Sequence, residues 1–202
     1  MPDPQFSRLI VGISGATGSL YGVRLLQALQ GSDVETHLIV SRWGARTLTH
    51  ETPYTLDDVQ KMAACVYAIN DQGAPVSSGS FVTDGMVILP CSMRTVAAIA
   101  HGLGDNLIHR AADVVLKERR RLVLAVREAP FNSIHLENML KLSRMGVVIS
   151  PPLPAFYNHP RTIDDIVNHT VGRILDLFGI HLDASVRWDG VLRVGGEPPD
   201  RF

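Results

Sequence analysis

Two cysteines in 202 residues, Cys65 and Cys91, are too few for a disulfide framework, and neither stands in a metal-ligand spacing. The histidines add no such spacing. His101, His109, His135, His159 and His169 show no His-Glu-x-x-His or related pattern, so no metal is expected. No apolar run approaches the ~20 residues of a membrane span. The formal net charge is −1, which leaves no electrostatic footprint for nucleic acid or an anionic membrane. The opening Met1-Pro2-Asp3-Pro4-Gln5 has neither the basic nor the apolar region of a signal peptide. Together these absences point to a cytoplasmic protein in a reducing compartment.

What is present reads as an α/β domain. Hydrophobic residues make up 46% and charged residues 19%, which suffices for one sizeable core. The apolar, partly β-branched run 9–13 predicts a buried strand. It ends in the small-residue stretch Ser14-Gly15-Ala16-Thr17-Gly18-Ser19, and a helix follows over 20–29 with Val23, Leu26 and Leu29 on one face and Gly31 closing it. Strand, glycine turn and helix open many nucleotide-binding α/β units, because glycine admits a ligand close to the backbone and a helix N-terminus offers N–H groups. Glycines 12, 15 and 18 are nonetheless off the G-x-G-x-x-G pattern, and the second strand ends in Ser41-Arg42 rather than in a ribose-binding acid. Two readings stand at this point: an anion or cofactor turn, or a plain tight turn.

The alternation continues. Strands are predicted at 34–40, 66–69, 86–89, 122–126 and 147–149, and helices at 42–50, 55–64, 96–101, 106–118, 133–145 and 162–178. Thr55 to Asp58 and Thr162 to Asp165 read as capping boxes. Residues 70–85 lack periodicity and are expected to be a functional or disordered loop. Residues 119–121, three arginines, read as a solvated turn. Pro90-Cys91-Ser92-Met93-Arg94-Thr95 forms a second strand–turn–helix junction, so a ligand is expected between two strand ends. Cys91 precedes a helix that would lower its pKa, but a buried structural role is favoured over a nucleophile. Arg110 and Lys117 share a helix face; Arg127 and Glu128 end a strand; Tyr157 lies in a proline-rich loop; Arg173 flanks an apolar stripe. These cations, tyrosine and carboxylate form either a phosphate-ester pocket or ordinary surface charge. The expected organisation is one domain, core 8–179, with a tail over 180–202.

Taken in order, Gly15-Ala16-Thr17-Gly18, the segment 90–95, the segment 110–119, Arg127-Glu128-Ala129-Pro130, the segment 134–140 and Pro154-Ala155-Phe156-Tyr157 resemble the UbiX/Pad flavin prenyltransferases over residues 9–179. Ser41-Arg42-Trp43 with Glu51-Thr52-Pro53-Tyr54 resembles the branch associated with aromatic acid decarboxylases. The resemblance implies a flavodoxin-like, Rossmann-type three-layer sandwich with a mainly parallel sheet, assembled as a homododecamer. It implies FMN as bound substrate and dimethylallyl phosphate as donor. The dimethylallyl group would be joined to flavin N5 and C6 without a metal, giving prenylated FMN for a UbiD-type decarboxylase.

By the same resemblance, Gly15, Ala16, Thr17, Ser41, Ser92, Met93, Arg94, Thr95 and Arg127 contact FMN, with the Thr17 hydroxyl near N5. Lys117, Tyr157 and Arg173 hold the prenyl phosphate. Glu51, Arg110 and Glu128 surround it, Glu128 as proton donor to the leaving group. Thr17, Glu51, Arg110, Lys117 and Glu128 are thus the implied catalytic set, and Trp188 matches a tail tryptophan that covers a neighbouring site. Two other classes stay open: an FMN-dependent decarboxylase of the cysteine-decarboxylase type, and a flavodoxin-like FMN carrier. Neither needs a phosphate-ester pocket, so Lys117, Glu128, Tyr157 and Arg173 discriminate.

Overall fold

The computed structural model describes residues 7–182, and the expectation on Trp188 lies outside them. The described chain divides into two compact units after Pro151.

The first unit is built on six strands: β1 (Ser7–Ile13), β2 (Val34–Val40), β3 (Cys65–Tyr67), β4 (Gly85–Cys91), β5 (Arg121–Val126) and β6 (Val148–Ile149). They form one sheet in the order β3-β2-β1-β4-β5-β6, and every neighbouring pair is parallel. The central strands are apolar on both faces, as a covered parallel sheet requires: Leu9, Ile10, Val11 and Ile13 in β1 and Met86 to Leu89 in β4 are all buried. The order reverses between β1 and β4. Chain progression to one side carries α1 (Ser19–Leu29), α2 (Arg42–Glu51) and α3 (Leu56–Gln60); progression to the other carries α4 (Met93–Ala100), α5 (Leu107–Lys117) and α6 (Ser133–Arg144). Right-handed crossovers in opposite directions place these two sets on opposite faces, giving three layers with a switch point between β1 and β4.

Local chemistry sets the boundaries. Ser41, Thr55, Ser92, Asn106 and Asn132 each accept a backbone N–H from the first turn of the helix they precede. The Thr55/Asp58 box forms as expected, and Asn132 with His135 makes another. Four expectations need correction. β4 continues through Pro90 to Cys91, because its pairing with β5 shifts register between Ile88 and Cys91 and spares the proline a ladder bond. With Ser92 as cap, α4 starts at Met93, three residues earlier than the periodicity predicts. Residues 70–84 form an ordered loop with a 3₁₀ turn at Pro75–Ser77, and Ala74 and Val76 are buried in the core. The three arginines are not all solvated either. Arg120 donates to the Phe81 and Gly79 carbonyls, both at 2.7 Å, and fastens that loop.

The second unit holds α7 (Ile163–Asp176), started by the expected Thr162/Asp165 capping box. It ends two residues sooner than predicted, and Gly179 follows at a φ of 74°.

Candidate active site

Four adjacent strands end on one edge of the sheet, and backbone hydrogen bonds hold their ends together. Ser41 N–H, after β2, donates to Ile13 O of β1 (2.9 Å); Ser14 N–H, after β1, donates to Pro90 O of β4 (3.2 Å); Arg127 N–H, after β5, donates to Cys91 O (3.0 Å). The Ser14 side chain completes the central join. Its Oγ–H donates to Pro90 O (3.0 Å), and Oγ accepts the Ser92 N–H (2.8 Å). Ser14 is buried and was not among the expected site residues. The only sequence signal for it is a hydroxyl ending an otherwise apolar strand.

The residues expected to contact flavin all lie on this edge. Gly15 and Thr17 are exposed and Ala16 half-exposed in the β1–α1 turn. Ser41 caps α2, accepting the Gly44 N–H at 2.9 Å. Ser92 caps α4, accepting the Thr95 N–H at 3.3 Å, and lies 3.1 Å from the Thr95 hydroxyl. Met93 and Arg94 form the first turn of α4, with Arg94 exposed; Arg127 is exposed at the end of β5. Trp43, in the first turn of α2, is 60% exposed, and Arg46 stacks 4.9 Å from its ring centre. Its Cβ lies so close to Gly15 that any side chain there would overlap it.

Glu51, at the end of α2, reaches the β1–α1 turn. Its Oε2 accepts the N–H groups of Gly18 (2.8 Å) and Ser19 (3.0 Å), at the start of α1. Two of the N–H groups at this helix start are therefore taken by the protein's own carboxylate. Cys91 has the buried place expected of it: it is fully enclosed, and desolvation pushes its thiol far above the usual range rather than below it, as a helix N-terminus alone would. It is structural.

Within the first unit, the residues of the phosphate-ester set stand apart. Helix α5 runs against the strands and leads into the start of β5, so Lys117 lies at the opposite sheet edge from Arg127 and Glu128. There Lys117 pairs with Glu118, and a Cβ on Gly79 would come within 2.7 Å of Lys117 Nζ. That pair holds the Glu118 carboxyl below its ordinary range. Arg110 is engaged by Asp113 (2.8 Å) and the Ser77 carbonyl (3.2 Å). Glu128 is exposed beyond β5, with Oε1 accepting the Ala129 N–H at 3.0 Å. In the second unit the Tyr157 hydroxyl is 3.2 Å from His169 Nε2, and Arg173 donates to Asp176 at 3.1 Å. Asp113, Glu118 and Asp176 are the countercharges that sequence reasoning left out, although each lies within three residues of its cation.

A family model described as Flavoprotein matches residues 3–175. The chain is 55% identical over 189 residues to a probable UbiX-like flavin prenyltransferase of Bacillus subtilis, covering 94% of this chain and 93% of that one. It belongs to the UbiX-like flavin prenyltransferases. Two solved structures of the family superpose closely. One is described as a dodecameric FMN-dependent UbiX-like decarboxylase from Escherichia coli O157:H7, 57% identical, covering 91% of this chain and all of that one, with a TM-score of 0.89. The other is AnUbiX (PadA1) in complex with FMN and dimethylallyl pyrophosphate, 50% identical, covering 93% of this chain and all of that one, with a TM-score of 0.91. The flavodoxin-like α/β fold expected from the resemblance is thus the family's fold. No described helix of this flavin prenyltransferase is long and apolar enough to cross a membrane.

Proposed function

We propose that this chain transfers a dimethylallyl group from a dimethylallyl phosphate ester to N5 and C6 of reduced FMN, and that a UbiD-type decarboxylase receives the prenylated flavin. The observation that carries this reading is the convergence of Gly15, Ala16, Thr17, Ser41, Ser92, Arg94 and Arg127 on four neighbouring strand ends at the switch point. This donor set fits FMN, with hydroxyls and small residues for the ring and cations for the phosphate. Glu51 sets the direction. A carboxylate on the α1 N-terminus repels a second anion, so the β1–α1 turn takes the neutral ring, near the Thr17 hydroxyl. The flavin phosphate goes to Ser41, Ser92, Thr95 and Arg127.

When bound, reduced FMN supplies the nucleophile. The chain's own residues handle the leaving group. The allylic C–O bond breaks and phosphate departs with the proton of Glu128, while Lys117, Arg110, Tyr157 and Arg173 spread its charge. Each well-placed donor of this kind is worth ~3 kcal/mol in the transition state. Lys117 and Glu128 lie at opposite sheet edges of one chain, so we place Lys117 in the site of another copy. The assembly is a homo-oligomer, a dodecamer as named for the E. coli relative, with shared active sites. The free thiols of Cys65 and Cys91 suit a cytoplasmic compartment. The span of the family model, residues 3–175, supports one flavoprotein domain.

The test is phosphate release. Inorganic phosphate should appear only when protein, reduced FMN and dimethylallyl phosphate are all present. Release without flavin, or none with it, contradicts the reading.

A further inference from the structure

We propose that Glu35, His37 and Cys65 form a binding site for one divalent cation of the zinc class. Glu35 and His37 lie on one face of β2, and Cys65 opens the edge strand β3 in register with His37. Glu35 Oε1, His37 Nε2 and Cys65 Sγ lie within 4.8 Å of one another. Two of the separations are 3.2 Å (Nε2 to Oε1) and 3.8 Å (Sγ to Oε1). A tetrahedral centre with metal–ligand bonds of about 2.0–2.3 Å spaces its ligands by roughly 3.3–3.6 Å. The three atoms therefore stand about where such an ion would hold them, with a fourth position left for water.

The histidine points to a ligand independently. His37 is 1% exposed, and its Nε2 faces Glu35 Oε1 at 3.2 Å without a well-formed hydrogen bond. The other ring nitrogen, Nδ1, lies 2.9 Å from the Tyr67 hydroxyl. A proton on Nδ1, donated to Tyr67, leaves the Nε2 lone pair facing Glu35 and Cys65. That is the arrangement by which a second partner orients a metal-binding imidazole. Arg8 Nε engages Glu35 Oε2 at 3.2 Å and leaves Oε1 available. Phe81 closes the ring side, edge-on to His37 at 5.2 Å. Burial disfavours a proton on the His37 ring and pushes the Cys65 thiol up; a cation that binds displaces the thiol proton, which passes to water.

Thiolate, imidazole and carboxylate together select zinc-like ions over magnesium or calcium. His37 and Glu35 are three and five residues before the end of β2, about 10–17 Å from the flavin edge at ~3.3 Å per residue. The ion would act as a clip, tying the three-residue edge strand β3 to the sheet.

The experiment uses the full chain, stripped with chelator and titrated with Co²⁺, with Zn²⁺ as competitor. One equivalent of Co²⁺ is expected to give a thiolate-to-cobalt charge-transfer band with tetrahedral d–d bands, and one equivalent of Zn²⁺ to abolish them. Cys65→Ser should lose the charge-transfer band, and Tyr67→Phe should keep it with affinity weakened roughly 10- to 100-fold. A second measurement needs no variant: Zn²⁺ should protect Cys65 from alkylation, read by peptide mass spectrometry. Absence of the band in the unmodified protein, its persistence in Cys65→Ser, or unprotected alkylation at saturating Zn²⁺ would each overturn the site. The group would then be a hydrogen-bonded sheet edge only.

Discussion

Replacing Ser14 by alanine tests whether the two turns of the flavin edge are one structure. The change removes a single buried oxygen that donates to Pro90 O and accepts from Ser92 N–H. Pro90 O keeps a partner in the Ser14 N–H, so the donated bond costs only its net worth of ~0.5–1.5 kcal/mol. The Ser92 N–H loses its acceptor in a half-buried place, which costs ~1–3 kcal/mol more. The sum is about 1.5–4.5 kcal/mol, or roughly 3–18 °C in Tm for a chain of this size. Ser19, five residues on, is a built-in control. Its hydroxyl is fully buried with no hydrogen-bond partner, so Ser19→Ala removes an unpaired polar group and should be neutral or stabilising by about 1 kcal/mol. Urea denaturation followed by circular dichroism reads both. Because Ser14 also fixes the loop that carries Ser92, Ser14→Ala should weaken FMN binding where Ser19→Ala does not. Equal stabilities for the two variants would refute the reasoning.

In α1, Gly22→Ala gains ~1 kcal/mol in helix propensity. The new Cβ would lie 2.6 Å from the Leu89 carbonyl, a backbone atom that cannot step aside, so thermal melting should show a net loss of about 1–3 kcal/mol. Burial holds the His37 and His109 pKa values down, so the unfolded chain binds their protons first and the stability they lend is lost as pH falls below ~6.5. Denaturant midpoints should drop between about pH 7.5 and about pH 5.5, and His109→Gln should make that drop smaller; an identical drop removes His109 from the account. Lys117→Ala and Glu128→Gln should each be slower in phosphate release, Glu128→Gln by ~10²–10⁴-fold. Oligomers assembled from an equal mixture of the two should regain about a quarter of wild-type sites, whereas sites built within one chain regain none.

Much of this molecule was legible from its residues. The apolar runs of β1, β2, β4 and β5, the Thr55 and Thr162 capping boxes and the small-residue turn after β1 are local signals, and each formed near the expected place. The two turns expected to flank a ligand are adjacent at the switch point. What escaped depends on long-range partners. Nothing local to Ser14 announces Pro90 and Ser92, 76 and 78 residues away. Residues 70–84 are held by the burial of Ala74 and Val76, by Arg110, and by Arg120, which lies beyond α5 and returns to carbonyls 41 and 39 residues earlier. The resemblance set Glu51 among the polar groups around the prenyl phosphate, but only the fold reveals that its carboxylate reaches the start of α1. A shared helix face correctly related Arg110 to Lys117. It could not reveal that α5 carries Lys117 away from the edge where Glu128 stands.

The central claim is prenyl transfer to flavin, and the flavin itself is the direct witness. The protein, loaded with reduced FMN, is incubated with dimethylallyl phosphate without air, and the released flavin is analysed by mass spectrometry. The account predicts that its mass rises by one C₅H₈ unit and that the added carbons are bonded at N5 and C6. Recovery of unmodified FMN beside intact donor, from protein that binds both, would contradict it.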